Sequence, residues 1–109
     1  MSDEREASAE SWMSAIDEVV TSWPDVRGKN VFGHRGYVRR GRMFGFVAAD
    51  GVAVKLGTRD LATLYEIDGV RAFRQNNKDM HAWPILPVLE ESHVDRALDW
   101  LRRAYESAL

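Results

Sequence analysis

Residues 31–56 read VFGHRGYVRRGRMFGFVAADGVAVKL, three short runs punctuated by Arg40-Gly41 and Asp50-Gly51. A glycine after Arg or Asp supplies the positive φ that two-residue hairpin turns demand. The runs themselves carry Val, Phe, Tyr and Met, which suit a pleated, half-buried surface. The stretch is therefore expected to form a three-stranded antiparallel meander. Gly33 and Gly36 in the first run and Gly45 in the second weaken a regular strand, pointing to a bulge, a bend or the close approach of another backbone. In the first run Phe32, His34, Gly36 and Val38 should face one way, and Gly33, Arg35, Tyr37 and Arg39 the other. Val52, Val54 and Leu56 alternate with Ala53 and Lys55 in the third, the pattern of one covered and one open face.

Upstream of the meander, Trp12, Ile16, Val19, Val20 and Trp23 recur at helical spacing, predicting an amphipathic helix over 8–23 that Pro24 ends. Residues 1–7 read as a disordered tail and 24–30 as a loop. Downstream, Thr58 is placed as the N-cap of a short helix through Ile67, with Gly69 as a left-handed stop. Residues 74–79 are polar and read as a turn or mobile loop. Residues 80–88, MHAWPILPV, are extended, and Pro84 and Pro87 place them in an edge strand. Ser92 and Asp95 resemble a capping box that opens a last helix with an apolar face of Val94, Ala97, Leu98, Leu101, Ala104 and Tyr105. The expected order is α-βββ-α-β-α: one α+β domain over 1–109, with a small antiparallel sheet (the meander plus a further strand) flanked by N- and C-terminal helices.

The chain has 109 residues, 45% of them hydrophobic and 29% charged, enough for one folded core. It contains no cysteine, which excludes disulfides, thiolate metal sites and cysteine nucleophiles. No run of residues is long and apolar enough to span a bilayer, and MSDEREASAE is too acidic for a secretory signal, so a cytoplasmic protein without membrane attachment is expected. The net charge of −2 hides an asymmetry. Arg27, Lys29, Arg35, Arg39, Arg40, Arg42, Lys55 and Arg59 stand against Asp50 alone in residues 27–59, and acidic residues predominate on both sides. Such a basic middle is either a footprint for an anionic partner or is neutralised by the acidic helices packing beside it.

Catalytic motifs are wanting. His34, His81 and His93 fall in three different elements, so no metal-ligand spacing arises and no metal or cofactor is expected. Neither a G-x-S-x-G elbow nor a phosphate-cradling glycine loop is present. An enzyme would have to assemble a pocket from His34, Tyr37, Lys55 and His81, and the expectation is a non-enzymatic protein. The candidate contact residues are Arg35, Tyr37, Arg39, Arg40, Arg42 and Lys55, where arginines beside an aromatic ring can grip phosphates and stack on bases. The plainer account is a solvated sheet face whose arginine stems cover apolar surface.

Taken together, Val31-Phe32-Gly33, Gly36-Tyr37, Gly41-Arg42-Met43-Phe44-Gly45, Val47-Ala48, Asp50-Gly51, Val54-Lys55-Leu56 and the helix carrying Trp100 resemble the TfoX N-terminal-domain family, which is related in layout to the MmcQ/YjbR-like proteins. The resemblance covers roughly residues 10–108. It implies an antiparallel sheet flanked by helices and a regulatory or binding module, some members being the front half of regulators of bacterial competence. His34 departs from the pattern, standing where the family often has a second glycine. The chain also ends at Leu109 without the C-terminal helical domain of those regulators, so a role in competence is not expected. The expected function is a binding or regulatory module that contacts nucleic acid or another anionic partner through the basic meander. The alternative is a protein–protein or self-association module using exposed aromatics.

Overall fold

Two-residue turns set the topology of the computed structural model, which describes residues 2–31 and 33–108, and the side chains among these from Ser11 onward. Helix α1 spans Ser2–Val20 and is followed by strands β1 Val26–Val31, β2 His34–Arg39, β3 Arg42–Ala48 and β4 Gly51–Val54. Helix α2 (Thr58–Tyr65), strands β5 (Arg71–Gln75) and β6 (Lys78–Pro87), a 3-10 turn (Glu91–His93) and helix α3 (Val94–Ser107) complete the chain. The fold is α+β, and its single sheet is antiparallel throughout, with six strands in the order β1-β2-β3-β4-β6-β5.

The meander is present but is longer than expected at its start. Residues 26–31, read as mostly loop, form edge strand β1, whose exposed Arg27, Gly28, Lys29 and Asn30 give no apolar alternation to detect. Charged residues and glycine suit an edge that must not recruit another chain. The first expected strand is in fact a hairpin: Val31 pairs with His34, and Gly33 takes φ 78° in the turn. Phe32 lies outside the described residues. The Arg40-Gly41 turn holds, with both residues at positive φ (50° and 83°). The next turn is Ala49-Asp50, because Ala48 pairs with Gly51 and Gly51 has no positive φ. Gly51 answers a different demand. A Cβ there would stand 2.3 Å from the carbonyl oxygen of Leu86 on β6.

The stretch 74–79, read as a turn or mobile loop, holds a turn, and it closes a second hairpin. Asn76 and Asn77 take φ 53° and 62°, Gln75 pairs with Lys78, and Arg74 bonds Asp79 across the pair at 3.0 Å. Asn tolerates the left-handed region better than other non-glycine residues. Strand β6 is correspondingly not an edge: it lies between β4 and β5. Its prolines are accommodated at irregular places. Pro84 sits where the register with β5 jumps between Ala72 and Phe73, and Pro87 is the last strand residue, opposite Gly51.

One further irregularity divides the core. Tyr37 pairs with Gly45 and Val38 with Met43, so Phe44 is the extra residue of a β-bulge. Strict alternation would put Phe44 and Phe46 on the same face. The bulge instead sends Phe44 into the helix-side cluster with Trp12, Ile16, Val20, Leu101 and Tyr105, and Phe46 into a second cluster with Phe73, Trp83 and Ile85. The open face expected from the β4 alternation is thus covered by its own large side chains: Ala53 is buried, and Phe46 packs 4.9 Å from Phe73 and 5.5 Å from Trp83. His34 stacks on Phe46 at 5.8 Å, and this contact occupies the imidazole.

The helices follow their apolar stripes. Trp12, Ile16 and Val20 are buried on α1, but Val19 is exposed, and the helix ends before Trp23. Its first turns occupy the stretch read as a tail. Helix α2 is capped by Gly57 rather than by Thr58, and Gly69 does take positive φ (86°). Ser92 does not cap α3. It belongs to the 3-10 turn and donates to Glu90, and α3 begins at Val94 after His93. Among the described residues, no helix is long and apolar enough to cross a membrane.

Candidate functional site

Arg35, Tyr37 and Arg39 share one face of β2, as their spacing requires, but it is the face that α1 and α3 cover. The Arg35 Nε donates to Asp17 Oδ1 on α1 at 2.8 Å, and this bond holds the guanidinium above its ordinary pKa. The guanidinium crosses Gly28 of β1, where a Cβ would stand only 2.1 Å from its central carbon. The Tyr37 ring is buried, and its hydroxyl donates to the same Asp17 oxygen at 3.0 Å. Arg39 lies 4.0 Å over the Tyr105 ring, and its Nη1 donates at 2.7 Å to the Tyr105 carbonyl in the last turn of α3. A cation there complements the negative helix end. At the hairpin tip Arg40 reaches Asp25 at 3.1 Å.

Four of the six candidate residues therefore have partners inside the domain. Asp17 on α1 and Asp25 before β1 pair with Arg35 and Arg40, which realises in part the internal neutralisation left open by the charge pattern. The Arg35–Asp17 and Arg40–Asp25 pairs are largely exposed, so each contributes at most about 1 kcal/mol to stability. Their consequence for function is larger, because they remove charge from the surface available to a partner.

Burial, then the charge of Asp17, raises the Tyr37 pKa above its ordinary value of 10.0. A folded pKa above the unfolded one gives stability that is complete below pH 10 and is lost as pH rises beyond it. Tyr37→Phe should cost about 1 kcal/mol near pH 8, from the lost bond to a carboxylate. The gap between wild type and variant should narrow in urea titrations above about pH 10, because only the wild type ionises Tyr37 on unfolding. A gap constant with pH would show that this hydroxyl does not report on folding.

Arg42 and Lys55 differ from the other four. Both are exposed, and neither forms an ion pair among the described residues. They stand on β3 and just beyond β4 and line one cleft of about 620 Å³. Its walls are Met43, Phe44, Leu56 and Trp83 from the sheet side, and Ala104, Ser107 and Ala108 from the end of α3. Among the described residues no carboxylate side chain lines it. The cleft lies where the two halves of the core meet, since Phe44 belongs to the helix-side cluster and Trp83 to the opposite one. Lys55 Nζ stands 6.0 Å over the Trp83 ring, at the outer limit of cation–π contact. Such a volume falls within the range of small-molecule sites.

The four residues considered for an enzyme pocket are not gathered together. His34 and Tyr37 line a different cavity, Lys55 lines the cleft above, and His81 is exposed on β6 with its carbonyl accepting from the Tyr65 hydroxyl. Among the described residues, no group of His, Asp and Glu could hold a metal ion. Sequence reasoning overlooked Asp17, Asp25 and Tyr105 as the partners that occupy the basic strand. A signal for Asp17 existed: it follows Met13 by one helical turn, beside the buried stripe, so it had to lie near the sheet edge. The α3 wall of the cleft left no local signal, being brought to β3 from more than fifty residues away.

No family model, no curated protein and no solved structure matches this chain.

Proposed function

We propose that this domain is a non-enzymatic binding module of the TfoX N-terminal type that receives an anionic partner at the cleft carrying Arg42 and Lys55. One observation carries the reading: of six candidate contact residues on the meander, the two whose side chains have no ion pair or hydrogen bond among the described residues line the same cleft. The cleft offers two exposed cations and, among the described residues, no opposing carboxylate, and an anion gains there what Asp17 and Asp25 supply to Arg35 and Arg40. Nucleic acid remains one class of anionic partner, and contacts confined to two cations would give it a shallow salt dependence, with a log–log slope of about −2. A cytoplasmic setting agrees with the absence of cysteine.

The rival module built on exposed aromatics draws less support. Among the described residues the exposed large hydrophobics are Val19 and Leu89, neither of them aromatic.

The test uses Arg42→Ala combined with Lys55→Ala, two exposed positions without an ion pair among the described residues, so the fold is expected to survive their loss. Arg39 and Arg40 stay in place, since replacing Arg39 would unseat Tyr105 and confuse binding with stability. Binding of a labelled DNA duplex and of an anionic aromatic dye is followed by fluorescence across a salt titration. At least one probe should bind the wild type, weaken with salt and lose about tenfold or more in the double variant. Absence of binding by both probes at low salt would remove the anionic-partner reading.

A further inference from the structure

We infer that the cleft between β3, β4 and the end of α3 takes a small organic anion, an apolar body bearing one carboxylate or similar headgroup, rather than a polynucleotide. This rests on the anionic-partner reading above and names the class of that partner.

Three features of the cleft select this chemistry. The first is the ratio of charge to apolar wall. Two cations, Arg42 and Lys55, stand among Met43, Phe44, Leu56 and Trp83, so a ligand that satisfied only the cations would leave the apolar walls wet. A phosphate backbone is wet and evenly charged, and proteins that hold it extend a row of cations along a groove. Here the row is interrupted, because Arg35, Arg39 and Arg40 are bonded to Asp17, the Tyr105 carbonyl and Asp25. The second is depth. Phe44 and Trp83 contribute to the cleft wall although they are only 1% and 8% exposed, so the cleft reaches down to core side chains, where an apolar body can be dehydrated. The third is size, since a volume of about 620 Å³ holds one molecule of drug-like dimensions. Arg42 supplies a planar fork suited to a carboxylate or sulfonate, and Lys55 a mobile point charge at the Trp83 edge of the cleft.

The experiment compares two dyes with the same aromatic body on the full chain: 8-anilinonaphthalene-1-sulfonate, which is anionic, and N-phenyl-1-naphthylamine, which is neutral. The anionic dye should bind at one saturable site, at least about tenfold tighter than the neutral one, and lose that advantage in Arg42→Gln combined with Lys55→Gln. Ser107→Trp, at an exposed wall position, should block both dyes by filling the cleft without disturbing the core. Equal binding of the two dyes, or anionic binding that ignores both variants, would overturn the inference. A labelled DNA duplex serves as the third probe. A duplex that binds through Arg42 and Lys55 while the anionic dye does not would overturn the small-anion inference and leave the anionic-partner reading standing. Failure of both the duplex and the dye would remove the two together.

Discussion

Replacing Gly51 with alanine should lower the stability of the domain by about 3 kcal/mol, the upper part of the range for overpacking a core. The new methyl group would stand 2.3 Å from the Leu86 carbonyl oxygen and 2.9 Å from an Ile85 side-chain carbon. Neither neighbour can give way cheaply. Leu86 is paired in register with Val52, and Ile85 with Ala53, so shifting the carbonyl breaks the ladder between β4 and β6. That ladder joins the meander to the β5–β6 hairpin, because β4 and β6 are the neighbours through which the two halves of the sheet meet. The variant should therefore lose stability cooperatively rather than fray at one edge. Gly57→Ala is the matched control: it has negative φ and nothing within 4 Å of the added atom, so its cost is a few tenths of a kcal/mol through weaker helix capping. Urea denaturation of the two variants beside the wild type gives both numbers. Equal midpoints for Gly51→Ala and wild type would mean that the two strands do not approach as described.

Gly51 also shows where sequence reading succeeds and where it fails. The glycine was visible, as was the break between two strands. Its reason was not, because positive φ is a local property and the approach of residue 86 is not. The same division runs through the chain. Stripes with a clear period, Trp12-Ile16-Val20 on α1 and Val52-Val54 on β4, lead directly to buried faces. Strand β1 has no period to read, and the Asn76-Asn77 turn uses two residues that reach the left-handed region without glycine. The bulge at Phe44 reverses a face assignment that alternation alone would impose. For the candidate site, the clustering of charge on the meander was legible, and so was the acidity of the helix beside it. Which cation meets which carboxylate depends on the docking of α1 and α3 on the sheet. That docking separates Arg42 and Lys55 from the other candidates.

Tyr105 holds that arrangement at the α3 end, and Tyr105→Ala should cost about 4 kcal/mol, in the range for removing a large core aromatic. Its ring is 4% exposed, with Trp23 at 5.2 Å, Phe44 at 5.7 Å and the Arg39 guanidinium at 4.0 Å. The hydroxyl donates to the Pro24 carbonyl at 2.9 Å and so ties the end of α3 to the segment between α1 and β1. Truncation leaves a cavity beside Phe44 and uncovers Arg39, whose buried Nε already has no partner among the described residues. A charge deprived of its stacking face in a half-buried position adds to the cavity cost. Tyr105→Phe separates the contributions: it keeps the ring contacts and removes only the bond to Pro24, for an expected loss of about 1 kcal/mol. Arg39→Met in the Tyr105→Ala background supplies the third measurement. If the stranded guanidinium contributes to the penalty, removing it should restore part of the stability, whereas losses that simply add would confine the role of Tyr105 to packing. Partial restoration would also establish that Arg39 contributes to the seating of α3 through Tyr105.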